Sequence, residues 1–249
     1  MYKLVADYHT HTRYSHGKGT ILENVEAAKK KGLKKIAIAD HGFNHIGIGM
    51  AASDLSKMRE EINRINQHFS DIEVLMGIEA NLISMDGEID IPPQYLDEFD
   101  IILMGFHKAV KPATLQDAWN LFAKNALDKL GLANREAMRQ LNTKALIRAI
   151  RRFPIRILTH PGAKIDIDTR VLAKEAAELD VALEINASHG FMTVEYVRMA
   201  LEEGACFVIN SDAHTPDRVG DFLRGMEIAK EAGVPPNRII NTMEAMRLH

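Results

Sequence analysis

The chain has 249 residues, 46% of them hydrophobic and 26% charged, with a formal net charge of −3 at pH 7. This composition is typical of a globular protein, the length suits one large α/β domain, and no hydrophobic run approaches the roughly 20 residues that a membrane-spanning helix needs. The single cysteine, Cys206, excludes a disulfide framework, and the N-terminus does not resemble a signal peptide, so we expect a cytoplasmic protein.

Charge is distributed unevenly along the chain. Residues 108–156 contain eleven Lys and Arg residues but three Asp and Glu residues, a net charge of +8 that leaves −11 for the remainder. Two interpretations of this basic segment stay open. Either its helices have ordinary solvated outer faces, or it forms a positively charged lid that attracts anionic substrates and loses its effect at high salt.

Seven hydrophobic runs of strand length recur along the chain, with little alternation of polar residues. This pattern is typical of parallel strands that are buried on both faces. The predicted strands are 3–8, 35–40, 73–79, 101–106, 155–159, 181–185 and 206–210.

Helical stretches with recognisable N-terminal caps lie between most of these runs. The caps and the helices they begin are Thr20 (ending near Gly32), Ser53 (55–69), Asp168 (171–179), Thr193 (194–203) and Asn241 (a short last helix). Strand followed by helix, repeated seven times, predicts a parallel sheet with right-handed crossovers. We interpret 1–249 as one domain with a basic helical insertion at about 108–152, which contains helices over 115–130 and 135–152.

Each predicted strand ends in a side chain that can bind a metal or a polar group. In α/β barrels the active site lies at this C-terminal face. Seven strands in an open sheet, about 4.8 Å apart, would separate the first and last by roughly 29 Å, so their ligands could not meet. We therefore predict a seven-stranded (β/α) barrel of the TIM type, with a doubly wound open sheet as the alternative.

The candidate metal ligands are imidazoles and carboxylates without thiolates, a set that suits Zn, Mn or Fe(II). They number nine, enough for two or three divalent ions, and Glu79 is the best placed to bridge two of them. The nine are His9, His11, His16, His41, Glu79, His107, His160, Asp212 and His214. Several metal ions held about 3.5 to 4 Å apart are the apparatus of phosphate-ester hydrolysis.

An ordered set of motifs runs from residue 7 to about residue 214. It comprises His9-x-His11, Asp40-His41, Gly77-Ile78-Glu79, His107, Thr159-His160-Pro161 and Ser211-Asp212-Ala213-His214. Together these motifs resemble those of the PHP (polymerase and histidinol phosphatase) superfamily of metal-dependent phosphoesterases, and within it the stand-alone phosphatases more than the polymerase-linked members. The resemblance implies a distorted seven-stranded barrel with a trinuclear site, usually of Zn and sometimes of Mn or Fe.

The resemblance also assigns ligands to each ion. It implies one ion at His9, His11, Glu79 and Asp212, a second at Glu79, His107 and His160, and a third at His16, His41 and His214. The hypothesis for the reaction is that a hydroxide bridging two ions attacks phosphorus, with Glu79, Asp212 and His214 as catalytic residues. The third ion, or His214 in its absence, would stabilise the leaving alkoxide.

Further residues are predicted to support this site. Asp7 and Asp40 would orient ligand histidines, as carboxylates commonly do at metal sites. Arg218, Lys108 and Asn186 are candidates for substrate binding, with solvated surface charge as the alternative for the two cations and turn stabilisation for the asparagine. No role in the site is expected for four histidines, His45, His68, His189 and His249.

The leading functional hypothesis is a phosphomonoesterase acting on a small phosphorylated metabolite, with no membrane partner. A histidinol-phosphate phosphatase fits the same motifs. A nuclease is disfavoured because the rest of the chain is acidic and no basic surface with interleaved aromatic residues is evident. A non-catalytic metal-binding module is disfavoured by the complete ligand set, and the sequence leaves open whether the chain forms a homo-oligomer.

Overall fold

Seven parallel strands form one sheet in the order of the sequence, β1 to β7, in the computed structural model, which describes residues 2–131 and 134–246. The strands are β1 (Ala6–Thr10), β2 (Lys35–His41), β3 (Glu73–Asn81), β4 (Ile101–Gly105), β5 (Ile155–Leu158), β6 (Ala182–Asn186) and β7 (Phe207–Asn210). The sheet closes where β1 meets the residues after β7, because the backbone N–H of His11 donates to the carbonyl oxygen of Ala213 at 2.8 Å. The predicted seven-stranded α/β barrel is confirmed.

Among the described residues, seven helices lie between strands in the chain, and two more follow the last strand. They are α1 (Ile21–Lys30), α2 (Leu55–His68), α3 (Leu115–Asp117), α4 (Lys124–Lys129), α5 (Arg135–Arg152), α6 (Thr169–Glu178), α7 (Val194–Glu202), α8 (Leu223–Ala232) and α9 (Met243–Met246). Three predicted caps are confirmed. The side chains of Thr20, Asp168 and Thr193 each accept a hydrogen bond from the backbone N–H of the residue three positions later. In the described part of the chain, no helix is both long and apolar enough to cross a bilayer.

Three details differ from the sequence-based expectations. Ser53 caps nothing, because it lies inside a 3₁₀ turn (Ala52–Asp54) that leads directly into α2. Strand β1 begins at Ala6, later than predicted, because Leu4 pairs with Thr242 instead, in an antiparallel bridge. Helix α8 was not predicted; it ends at Gly233, whose φ of 79° is the left-handed conformation common at helix C-termini.

The long connection between β4 and β5 consists of two different parts. Helices α3 and α4 are joined by a π-helical turn (Ala118–Ala123) into one helical stretch on the outside of the barrel. Helix α5 packs against the sheet, since Ala145, Leu146 and Ala149 belong to the main hydrophobic core. Helix α5 thus occupies the position of a crossover helix, and the extra chain is mainly 108–131.

A small hydrophobic cluster fills the inside of the barrel and is separate from the larger core between the sheet and the helices. Its buried members are Ala6, Tyr8, Ala37, Ala39, Leu103, Ile157, Ala182 and Val208. Alternate residues of a strand face the same side. In each strand, the inward-facing residues that come after the members of this cluster therefore lie at the C-terminal mouth of the barrel. They are His41, Glu79, His107, Thr159, Glu184 and Asp212.

Candidate metal centre

Strand β1 departs from simple alternation in a way that shapes the site. Its register against β2 shifts between Asp7 and Thr10, as in a β-bulge. Tyr8 packs inside the barrel, and His9 and His11 also face the interior. The shift removes Asp7 from the face that His9 occupies, although the two residues are two apart.

Glu79, at the inner face of β3, is the hub of the cluster. Its Oε2 lies 2.9 Å from His41 Nδ1 and 3.4 Å from His9 Nε2. Its Oε1 lies 3.0 Å from His160 Nε2 and 3.5 Å from His107 Nε2. One buried carboxylate therefore has four imidazoles within 3.5 Å, two from β1 and β2 and two from the segments directly after β4 and β5. This arrangement would suit a ligand that bridges two ions.

Asp212 is a second carboxylate with several histidines around it. Its Oδ1 lies 3.2 Å from His11 Nε2, 3.6 Å from His9 Nε2 and 3.6 Å from His214 Nδ1. Its Oδ2 lies 3.1 Å from His189 Nε2. Asp212 thus connects the buried pair from β1 with two histidines that are partly open to solvent.

A third group consists of histidines without a carboxylate between them. The ring centre of His16 lies 4.2 Å from that of His214 and 4.8 Å from that of His41. His11 stands beside them, with ring centres 4.3 Å from His214 and 4.6 Å from His41. All nine predicted ligands therefore lie in one continuous cluster, including His16 on its loop.

The polar atoms of the cluster fit metal ions better than they fit one another. Four buried atoms, His9 Nε2, His11 Nδ1, His41 Nδ1 and Glu79 Oε2, make no well-directed hydrogen bond. Buried polar atoms without a partner are rare in folded proteins, since each costs about 1 to 3 kcal/mol. In three groups the possible ligand atoms lie within 4.8 Å of one another: His9, His11 and Asp212; His11, His41 and His214; and His41, Glu79 and His107.

The electrostatics of the cluster favour the metal-binding protonation state at Glu79, Asp212 and His11, and a protonated His9. Burial would raise the pKa of Glu79 and of Asp212, but the surrounding histidines hold both pKa values well below their usual range. Burial lowers the pKa of His11 well below its usual value. Burial alone would also lower the pKa of His9, yet the carboxylates of Glu184, Glu79 and Asp212 hold it well above normal. Ionised carboxylates and a neutral imidazole are ready to coordinate, and a cation would displace the proton that His9 otherwise retains.

Two residues that the sequence analysis did not assign fix the orientation of ligand imidazoles. Glu184 Oε1 accepts from His9 Nδ1 at 2.7 Å, which directs His9 Nε2 into the cluster. Asn81 Oδ1 does the same for His107 Nδ1 at 2.6 Å. Both residues could have been found from the alternation of side chains along a strand. Asn81 lies two residues after Glu79 and so shares its face, and Glu184 lies on the inner face of β6.

Asp7 and Asp40 do not orient imidazoles, contrary to the prediction. Asp7 accepts from the Ser211 hydroxyl at 2.5 Å and from the backbone N–H of Gly220 at 2.9 Å, because the bulge in β1 directs it away from the cluster. Asp40, on the outer face of β2, accepts from Thr12 at 2.6 Å and from Ser15 at 2.5 Å. Both carboxylates hold the backbone segments on which ligands lie.

Asn186 is buried at the end of β6, and its amide is fully used inside the protein. Its Nδ2 donates to Glu184 at 3.0 Å and to Asp212 at 3.1 Å. Its Oδ1 accepts from the backbone N–H groups of Ser188 and His189. These internal hydrogen bonds favour the alternative of turn stabilisation, and the substrate-binding role stays a prediction.

Two histidines that were expected to lie outside the site belong to its surroundings. His189 contacts Asp212, and its ring centre lies 5.8 Å from that of His160. The ring centre of His45 lies 4.8 Å from that of His41. Both residues lie on loops that follow strands, and there the alternation of side chains along a strand no longer predicts which way a side chain points. His68 packs on Phe69 at the end of α2, and His249 lies outside the described residues.

The two cations predicted to bind substrate lie on the surface. Arg218 pairs with Asp221 at 2.6 Å. Lys108 follows His107 directly and has an exposed side chain. Their roles stay predictions.

The arginines of the basic segment are not free charges. They pair with carboxylates on neighbouring elements: Arg135 and Arg139 with Asp166, Arg148 with Asp86, Arg151 with Glu175, Arg152 with Glu88, and Arg156 with Asp180. The excess of positive charge in the sequence is therefore largely balanced in space, which contradicts a lid that carries the full +8 charge of the segment.

Gly105, the last residue of β4, faces the cluster and leaves room for it. A Cβ at this position would overlap with Thr159 Oγ1 and would lie 3.3 Å from Glu79 Oε1 and 3.0 Å from His160 Cε1. Thr159 Oγ1 itself donates to Glu79 Oε1 at 2.8 Å. The close approach of β4 and β5 at the hub thus depends on the missing side chain.

Comparisons with known proteins agree with this geometry. A curated protein of Proteus mirabilis named as a probable phosphatase is 33% identical over 95% of this chain and 89% of its own length. A second, from Shewanella pealeana, is 34% identical over 96% of this chain and 89% of its own. The crystal structure of a histidinol phosphate phosphatase from Lactococcus lactis, complexed with zinc, L-histidinol and phosphate, superimposes with a TM-score of 0.61 at 15% identity, covering 92% of this chain and 93% of that one. The family model of the PHP domain matches residues 7–193, and the chain belongs to the PHP domain family.

Proposed function

We propose that the protein is a metal-dependent phosphoesterase that hydrolyses a small phosphomonoester. The observation that carries the proposal is the convergence of nine imidazole and carboxylate side chains at one mouth of the barrel, four of whose buried polar atoms have no hydrogen-bond partner. Two or three divalent ions, zinc first and manganese or iron as alternatives, fit this donor set. The names of the curated relatives support a phosphatase.

Divalent ions bound there would supply Lewis acidity, charge neutralisation at phosphorus and a water of lowered pKa. The residues of the chain provide the rest of the arrangement. Glu79 holds four imidazoles around one carboxylate, and Glu184 fixes the tautomer of His9 so that its Nε2 lone pair faces the cluster. His189 and His214 have side chains that are 42% and 36% exposed, so the substrate would enter past them.

The same structure argues against two other activities. A nuclease needs a continuous basic surface for the phosphate backbone, whereas the arginines of the basic segment are paired with carboxylates. A non-catalytic metal-binding module does not need access to solvent, whereas the ligand His214 and its neighbour His189 are both partly exposed here. Histidinol phosphate is one candidate substrate, since the superimposed structure from Lactococcus lactis binds L-histidinol and phosphate.

The proposal is tested by assaying purified protein, loaded with zinc or manganese, on p-nitrophenyl phosphate, histidinol phosphate and single-stranded DNA. We expect hydrolysis of the monoesters, loss of activity on chelation and recovery when metal is returned. Glu79→Gln should abolish metal binding and turnover, whereas Glu178→Gln, an exposed residue of α6, should change neither. Release of nucleotides from DNA without monoester hydrolysis, or a metal-free protein after loading, would overturn the proposal.

A further inference from the structure

A groove of about 340 Å³ lies between the loop after β4, which contains the candidate ligand His107, and the helical stretch that contains α4. Its apolar wall includes Phe106, Leu121 and Phe122. Three lysines also line it, Lys108, Lys129 and Lys164. The groove therefore combines an aromatic wall with a concentration of positive charge.

Residues that line the groove are neighbours of two candidate metal ligands, His107 and His160. Phe106 and Lys108 flank the candidate ligand His107 in the sequence. Phe106 and Lys164 also line a pocket together with the candidate ligand His160.

The three lysines differ from the arginines of the same region in having no carboxylate partner. Among the residues that the structure describes, Lys108, Lys129 and Lys164 make no ion pair, whereas the five arginines of α5 all do. Asp128 and Asp166 line a neighbouring pocket together with Lys129 and Lys164, but neither carboxylate forms an ion pair with these lysines. Like charges gathered beside an apolar wall repel one another, and an anion placed among them would relieve that repulsion.

We propose that this groove selects phosphomonoesters that carry a second anionic group on an apolar or aromatic body. The phosphoryl group lies at the metal centre, the body packs against Phe106 and Phe122, and the second anion lies among the three lysines. This proposal rests on the proposed phosphoesterase function and narrows its substrate class. The second anion is a carboxylate or a phosphate, since an ammonium group takes either as a point charge.

The test compares phenyl phosphate with two analogues that add one anion to the same ring, 4-carboxyphenyl phosphate and 1,4-phenylene bisphosphate. For the wild-type enzyme, kcat/KM should be at least tenfold higher for one or both analogues than for phenyl phosphate, and the two analogues distinguish a carboxylate from a phosphate. Lys129→Gln and Lys164→Gln should each reduce this ratio about five- to tenfold. Lys144→Gln removes the same charge from an exposed position of α5 outside the groove and should leave the ratio unchanged.

Binding measurements separate failure of this inference from failure of the proposed function. Calorimetry with benzylphosphonate and 4-(phosphonomethyl)benzoic acid measures binding to the groove without any turnover. The wild type and Lys144→Gln should bind the acid about tenfold more tightly than benzylphosphonate, whereas Lys129→Gln and Lys164→Gln should bind the two compounds about equally. If the preference for the compound with the second anion were equal in all four proteins while the monoesters were still hydrolysed, the proposed role of the groove would be wrong and the phosphatase function would be unaffected. A binding preference that disappears in the two groove variants, without hydrolysis of any ester, would overturn the phosphatase instead.

Discussion

Substitution of Glu184 by Gln tests how the candidate metal centre is held together. The carboxylate is completely buried and accepts four hydrogen bonds. Its Oε1 accepts from His9 Nδ1 at 2.7 Å and from Asn210 Nδ2 at 3.0 Å. Its Oε2 accepts from the backbone N–H of His160 at 2.8 Å and from Asn186 Nδ2 at 3.0 Å.

The glutamine would fit the space but not the hydrogen bonds. If its oxygen faced His9, its NH₂ group would face two donors, the backbone N–H of His160 and Asn186 Nδ2. Two unsatisfied buried donors at about 1 to 3 kcal/mol each predict a loss of roughly 2 to 6 kcal/mol in unfolding free energy. If it turned the other way, its NH₂ would donate to His9 Nδ1, and the proton would move to Nε2, which could then no longer bind an ion. Loss of such a partner typically lowers metal affinity about 10- to 100-fold.

The assay is a competition titration of zinc against a chelating dye, combined with urea unfolding of the metal-free protein. We expect Glu184→Gln to lower the zinc affinity by one to two orders of magnitude and kcat/KM with it, while Glu178→Gln behaves as wild type. A Glu184→Gln protein that folds, binds zinc with unchanged affinity and keeps its stability would refute the argument that this carboxylate fixes His9.

Four further outcomes follow from the contacts. Asp7→Asn should lower the unfolding free energy by about 1 to 3 kcal/mol while the folded protein keeps its zinc affinity, because Asp7 binds Ser211 and Gly220 and no imidazole; a loss of affinity at unchanged stability would contradict this. Asp168→Ala should cost about 1 kcal/mol in urea unfolding, because its side chain caps α6 by accepting from Val171 N–H; an unchanged midpoint would count against the cap. Burial raises the pKa of Asp90 from 3.8 to about 6. The stability that this group contributes is thus full below pH 3.8 and is lost as the pH rises through 6, so the wild type should lose up to about 3 kcal/mol relative to Asp90→Asn between pH 4 and pH 7 in urea titrations; parallel pH profiles of the two proteins would refute it. Removal of metal by a chelator should lower the melting temperature, since free ions at 100 times their Kd stabilise the folded state by about 2.7 kcal/mol; identical melting curves with and without zinc would speak against a site formed only in the fold.

Most of the fold was predictable because it depends on patterns that are local in the sequence. Runs of buried residues gave the strands, and caps such as Asp168 gave the helix starts, since each involves residues only a few positions apart. Helix α8 was missed because its start at Phe222 has no side-chain cap. The ion pairs of the arginines on α5 were also out of reach, because their partners, such as Asp86 for Arg148, lie far away in the sequence.

The candidate site was predictable where its residues lie at strand ends, and less so where it depends on which way a side chain points. Glu79 and His107 follow the inward period of their strands, so their placement needed only the closure of the barrel. Asp7 was misassigned because a bulge is not visible in the sequence and reverses the face of a side chain. His189 was misassigned because the backbone of a loop sets its direction.

The glycine at position 105 has a consequence for how much this barrel can vary. A hydrogen atom in place of a methyl group is what allows a threonine, a histidine and a glutamate from two neighbouring strands to crowd against β4. Any larger residue there would overlap with the Thr159 hydroxyl, which binds the hub carboxylate, and would also press on His160. A cluster of metal-binding side chains can therefore depend on a missing side chain as much as on the ligands themselves. A search of the sequence for possible ligands alone would overlook Gly105, the position that makes room for them.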